Sequence, residues 1–260
     1  MDILGLSPEQ FKSLILIFVR VGVVLFMFPF FGGIMVPRTV KAGLTLMITI
    51  VLFPVVRPDP ALFPDSVLGL ANLVLSELVL GMVVGLVARF FFAAVQLAGQ
   101  LVGFQMGFAI ANVFDPESGT QGTMLAQLGY WIAILFFLLL NGHHIVLRVI
   151  SESFSVLQVG YLGVGSGMLK KMIQVSGDMF MMAVKIGAPA IAALLFTSAA
   201  FGIVAKVVPQ MNVLIVAFPL KIMVGLFFFG LSLELLLYFM RQFLGGFPDM
   251  LGLMMRLSKV

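Results

Sequence analysis

The ionisable side chains are few, and their spacing decides what chemistry the chain could do. Lys171, Asp178 and Lys185 recur at intervals of seven and share one helix face, with alternating sign. One acid between two bases could relay a proton, but the same pattern suits a solvated or protein-facing stripe, and a structural role is the expectation. His143 and His144 are adjacent and point to different sides of a helix. The i,i+4 histidine pair of a helical zinc site, as in H-E-x-x-H, is absent. Ser166 stands in Gly165-Ser166-Gly167 without a G-x-S-x-G frame, there is no phosphate-cradling glycine loop, and the chain has no cysteine. Methionines 179, 181 and 182 suit adaptable packing better than a ligand set. No catalytic residue, metal ligand or cofactor site is expected.

Glu77, Gly81, Gly85 and Arg89 are spaced by four residues and form one oblique ridge on a helix. Glu77 and Arg89 lie about 18 Å apart along the axis, too far to pair. A charge at the bilayer centre costs roughly 2.5–3.5 kcal/mol on insertion scales, so each needs an outside partner, a watery cavity or the interface. Gly81 and Gly85 form a small-xxx-small pair that admits another helix closely, and Gly99, Gly103 and Gly107 repeat the device beside Gln96 and Gln100. A glycine costs an isolated helix about 1 kcal/mol against alanine, which a close contact offsets. With Asp178 and Lys185, these residues are the expected packing and assembly positions. Partners for Glu77, Arg89, Asp178 and Lys185 are not all visible within the chain, so the chain is expected to be unstable alone.

The elements that carry these residues are apolar. Of 260 residues, 62% are hydrophobic and 10% charged, against roughly 45–50% and about 25% in ordinary globular domains. Too few polar side chains remain to wet the surface of a soluble fold. Lipid or other apolar protein must be the solvent, and backbone groups must then be satisfied internally. The apolar runs are long and lack period-2 alternation, so helices are expected rather than a barrel. The net charge of +4 comes from scattered basic residues, which argues against nucleic acid. Met1 to Gln10 holds Asp2 and Glu9 and no basic n-region, so no cleavable signal peptide is expected. The expected fold class is all-α, a polytopic membrane protein of apolar helical hairpins, with residues 1–260 as a single domain.

The runs are Phe11–Phe31, Ala42–Val56, Val67–Phe92, a softer helix over Ala93–Val113, Met124–Leu140, a shorter helix to about Leu157, Lys170–Val208 with Pro189 inside, and Leu220–Phe243. Ala42–Val56 is marginal against the roughly 20 residues of a span. Pro209 to Pro219 reads as a break with those two prolines as hinges. Arg38 and Lys41 in the first link, against Asp59 and Asp65 with one Arg57 in the second, put the first link in the cytoplasm and the N-terminus outside. Lys185, Lys206 and Lys221 lie in or beside apolar runs and fit no simple topology. No internal repeat is visible, so an inverted-repeat transporter is not supported. A small-solute secondary transporter nevertheless stands as the alternative. An intramembrane enzyme fails for want of a nucleophile–base set, an aspartate pair or a metal motif.

Four segments resemble the FliR/SpaR/YscT family of type III export-gate proteins, in order and across nearly the whole chain. They are Pro37-Arg38-Thr39-Val40-Lys41-Ala42-Gly43-Leu44; Gly103-Phe104-Gln105-Met106-Gly107-Phe108 followed by Asp115-Pro116; Leu138-Leu139-Leu140-Asn141-Gly142-His143; and Pro209-Gln210-Met211-Asn212 with Phe218-Pro219-Leu220. The resemblance implies a non-catalytic subunit, one copy of which joins several FliP-like and FliQ-like subunits, with an FlhB-like subunit beside them. The assembly is an export gate in the bacterial inner membrane, at the flagellar basal body, that passes unfolded flagellar proteins. The resemblance also implies that many helices are lifted out of the bilayer and lean around a pore. The family's inner plug maps onto about Ala109–Thr123. In and beside it, Pro116 ends helix, Gly119 and Gly122 supply flexibility, Phe108 and Phe114 are bulky enough to obstruct a narrow pore, and Asn112, Asp115 and Glu117 are polar. The N-G-H and D-P elements favour the flagellar branch over the virulence-type (injectisome) branch. Family members often carry a proline after the helix that holds Ser153-Phe154. Here Leu157-Gln158-Val159-Gly160 has none, which leaves the shape of that turn open.

Overall fold

The computed structural model describes residues 7–29, 36–56, 63, 64, 66–108, 123–160, 165–210 and 212–258. They form seven helices and no strand among the described residues: α1 Pro8–Met27, α2 Arg38–Leu52, α3 Val67–Met106, α4 Met124–Leu139, α5 Gly142–Val156, α6 Ser166–Val207 and α7 Val213–Leu257. Four of them, α1, α3, α6 and α7, are long and apolar enough to cross a membrane. The chain is an all-α polytopic membrane protein. At 40, 42 and 45 residues, α3, α6 and α7 run to about 60–68 Å, twice the hydrocarbon thickness.

Local chemistry fixes the shorter elements. α1 opens on a capping box: Ser7 accepts from the Gln10 N–H, the Gln10 side chain accepts from the Ser7 N–H, and Pro8 takes a first-turn place that needs no donor. α2 is inside-out by aqueous standards. Its buried residues are Lys41, Thr45 and Thr49, while Leu46, Met47, Ile50 and Val51 are exposed. The two threonine hydroxyls donate to carbonyls one turn back, at 2.8 and 2.7 Å, and so enter a packed face without an orphaned donor. Thr45 lies directly against Gly22 of α1. α5 starts at Asn141, whose left-handed backbone (φ 55°) asparagine tolerates better than most residues.

Three boundaries differ from the sequence reading. Ala93–Val113 is not a helix of its own: α3 runs unbroken from Val67 to Met106. Its glycines lie against other helices and its glutamines leave the backbone ladder intact, so the softer composition carries no break. The stretch Pro209–Pro219 is not one break either. α7 begins at Val213, which puts Pro219 inside the helix rather than at a hinge. α7 also continues past Phe243 to Leu257, through Gly245, Gly246 and Pro248. A proline inside a helix forfeits one backbone bond, but a break in apolar surroundings would strand several. Pro189 sits inside α6 in the same way.

Contacts divide the chain into two compact units. The first holds Met1–Phe90, Asn141–Ser176 and Leu244–Val260; the second holds Phe91–Leu140 and Gly177–Phe243. α3, α6 and α7 each contribute one end to each unit. Leu16, Ile17, Val21, Val24, Val84, Ile150 and Met254 are buried in the first unit. The core of the second is Val102, Met106, Leu125, Ala190, Leu194 and Phe229. There Phe91 stacks on Phe243, and Phe92 meets Phe137 edge-on.

Candidate functional site

The first unit is built around a buried ion pair. Arg20, midway along α1, is 1% exposed, and Glu77 of α3 is 0% exposed. The Arg20 Nε and Nη2 groups both donate to the Glu77 carboxylate, Nη2 to Oε1 at 3.1 Å. Nη1 donates to Ser153 Oγ at 3.3 Å and to the Leu157 carbonyl at 3.2 Å, at the end of α5. The Phe154 ring lies 4.1 Å from the guanidinium carbon. The Gly160 N–H completes the set by donating to Glu77 Oε1 at 2.7 Å. A two-pronged arginine–carboxylate contact in which every guanidinium nitrogen is hydrogen-bonded is the form in which charge can be buried. Glu77 thus finds within the chain, on α1, a partner that the sequence reading left unnamed. The signal in the sequence is Arg20 itself. An arginine at the centre of the first apolar run is as costly alone as Glu77 and opposite in sign.

The same site settles the turn that lacks a proline. Gly160 has φ +85°, and its N–H is the donor to Glu77, a bond proline could not make. A Cβ there would lie 2.5 Å from Leu73 Cδ2. Gly160→Ala should cost at least about 1–2 kcal/mol from the left-handed backbone alone. Thermal unfolding in detergent should show a lowered midpoint; an unchanged midpoint would count against the assignment.

The ridge of α3 is occupied by α1. A Cβ at Gly81 would stand 2.8 Å from Val23 Cβ and 3.2 Å from the Arg20 carbonyl oxygen, and one at Gly85 2.5 Å from Met27 Cβ. The close-packed neighbour is therefore a helix of the same chain. Gly81→Leu should destabilise the chain itself by about 1–3 kcal/mol. The control is Val83→Leu, at a half-buried position on another face of α3, which should do less. Equal unfolding midpoints would contradict this placement. Arg89, on the same ridge, is exposed.

In the second unit, a Cβ at Gly99 would lie 2.5 Å from Ala126 Cα, and one at Gly103 2.7 Å from the Thr123 side chain. Thr123 caps α4, accepting from the Ala126 N–H, and donates to the Gly99 carbonyl at 3.2 Å. Gly107 (φ +93°) ends α3, with its own N–H on the Phe104 carbonyl and the Phe108 N–H on the Gly103 carbonyl. This paired arrangement is a Schellman stop. Gly107 also lies against the Phe218 ring, and Phe108 packs on the core of this unit. The chain therefore leaves α3 and enters α4 at the same place, beside Gly103. The intervening Ala109, Asn112, Phe114, Asp115, Pro116, Glu117, Gly119 and Gly122 lie outside the described residues.

Asp178 and Lys185 are exposed on α6 and make no ion pair among the described residues. Lys171 donates to Gln174 Oε1 at 3.1 Å. α7 repeats the pattern with Glu234 and Arg241, also exposed and seven apart, a pair the sequence reading missed although the interval is the same. Opposite charges at that spacing are about 10 Å apart along a helix, and neither couple forms an ion pair among the described residues. Both pairs sit on strongly apolar helices whose most apolar windows are 11% buried in α6 and 22% in α7, against 56% in α3. The His143 ring lies against that of His144, and no group of three or more potential metal ligands occurs among the described residues.

Comparison with known proteins places the chain in a family. The family described as bacterial export proteins, family 1, matches residues 11–247. The flagellar biosynthetic protein FliR of Bacillus subtilis (strain 168) is 36% identical over 220 residues, covering 84% of each chain. The protein of the same name from Pectobacterium carotovorum subsp. carotovorum is 30% identical over 237 residues, covering 90% of this chain and 89% of its own. That of Escherichia coli (strain K12) is 31% identical over 192 residues, covering 74% and 72%. With a match over nearly its whole length and relatives 30% and 36% identical across most of theirs, the chain belongs to the bacterial export proteins, family 1.

Proposed function

We propose that the chain is a non-catalytic core subunit of the flagellar type III export gate in the bacterial inner membrane, at the basal body, and forms part of the channel for unfolded flagellar proteins. The names of its relatives support the flagellar assignment. The observation that carries the role of subunit is the outer surface of α6 and α7. Those helices are mostly unburied within the chain yet carry Asp178, Lys185, Glu234 and Arg241 on exposed faces. Lipid covers apolar side chains but not ionised ones, whereas neighbouring helices of other chains can cover both. FliP-like, FliQ-like and FlhB-like subunits are the partners this reading assigns. Pro209, in the short break between α6 and α7, is the hinge it keeps. The experiment is deletion of the gene in its own bacterium. Export of flagellar subunits should stop and return on complementation; continued export would overturn the proposal.

The segment Ala109–Thr123 is the plug in this reading. The described residues that flank it, Phe108 and Thr123, both lie beside Gly103, which supports a segment that leaves and rejoins the helices at one place. Deleting Glu117 to Gly122 should leave assembly intact and make resting cells leak a small ion or solute. Normal permeability with normal assembly would rule the plug out.

A further inference from the structure

We infer that the Arg20–Glu77 pair sets the order in which the chain is seated in the membrane: α1 is not buried until α3 supplies Glu77. Among the described residues, every hydrogen-bond partner of the Arg20 guanidinium lies later in the chain. Glu77 is 57 residues on, Ser153 is 133 and Leu157 is 137. Between positions 1 and 76 the acids are Asp2, Glu9, Asp59 and Asp65; Glu9 is in the first turn of α1, about three turns from Arg20, and the others lie before α1 or in the second link. α2, the helix already packed on α1, presents Lys41, Thr45 and Thr49 to its buried side and no carboxylate. Arginine as a residue type does not shed its proton in proteins, so the penalty of burying one must be met by partners. α1 is thus made with a permanent, uncompensated charge at its centre. Glu77 arrives to a waiting partner and enters as half of a neutral pair. The asymmetry comes from chain order, and it makes Arg20 the group that waits.

The absence of cysteine gives a clean test in the full chain. A thiol introduced by Val24→Cys lies one turn from Arg20 at a site 1% exposed in the folded chain. It should react with a water-soluble maleimide until α1 is seated and resist it afterwards. In a pulse-chase, protection should lag the synthesis of α1 by the time needed to make those 57 residues, about 3–11 s at roughly 5–20 residues per second. In the Arg20→Met/Glu77→Leu background no charge has to wait, and the lag should vanish. Glu77→Leu alone should leave the thiol reactive throughout. Equal lags in the wild-type and double-variant backgrounds would overturn the inference, as would full protection in Glu77→Leu. If the single variant is degraded, the comparison of wild type with the double variant still decides.

Discussion

Arg20→Met is expected to destabilise the chain by about 3–5 kcal/mol, and Arg20→Met/Glu77→Leu to recover most of that loss. Among the described residues, the single change leaves Glu77 buried with only the Gly160 N–H to answer its charge. Breaking a buried pair from one side typically costs about that much, whereas replacing both partners with apolar groups of similar volume is often neutral. The double variant still forfeits the bonds to Ser153 and Leu157, so the turn after α5 should loosen slightly. Denaturant or thermal unfolding in detergent reads the effect. A double variant as damaged as the sum of the two single ones would show that the pair acts through packing rather than charge.

The second large effect is expected at Gly99. Alanine there places its Cβ 2.5 Å from Ala126 Cα, 2.8 Å from Ala126 N and 2.9 Å from the Leu125 carbonyl oxygen. All three atoms are backbone, so no side chain can swing aside, and α4 must move bodily. Overpacking costs typically about 1–3 kcal/mol, and rigid neighbours place this position at the upper end. The control is Gly177→Ala on α6, where a Cβ meets nothing within 4 Å. There the gain in helix propensity should stabilise by up to about 1 kcal/mol. The unfolding midpoint should therefore fall for Gly99→Ala and rise or hold for Gly177→Ala. A midpoint at or above wild type for Gly99→Ala would contradict the close approach of α4.

What the sequence made legible follows from composition and local spacing. The all-α membrane class, most of the runs and the close approaches at Gly81, Gly85, Gly99 and Gly103 needed no tertiary information. Arg20–Glu77 did: its partners are 57 residues apart and no periodicity links them. The misplaced break at Pro219 and the misread end at Phe243 came from rules calibrated on water-exposed helices, where proline and glycine pairs end helices freely. In apolar surroundings a broken helix strands backbone groups, so the helix continues. α2 shows the same limit. Its polar residues at 41, 45 and 49 are visible in the sequence, but polarity does not say which face is inward once the solvent is no longer water. The charged faces of α6 and α7 are legible as patterns, and what covers them lies beyond this chain.

The central claim is that those faces are completed by other chains. The most direct measurement is the mass and composition of the complex that carries a tagged copy of this chain, extracted from its own bacterium in mild detergent. The expected result is a single species several times heavier than the 28.2 kDa chain, containing distinct polytopic membrane proteins and losing them when Asp178→Leu and Lys185→Leu are combined. A monodisperse, thermally stable monomer, with Asp178, Lys185, Glu234 and Arg241 all open to solvent-borne reagents, would contradict it.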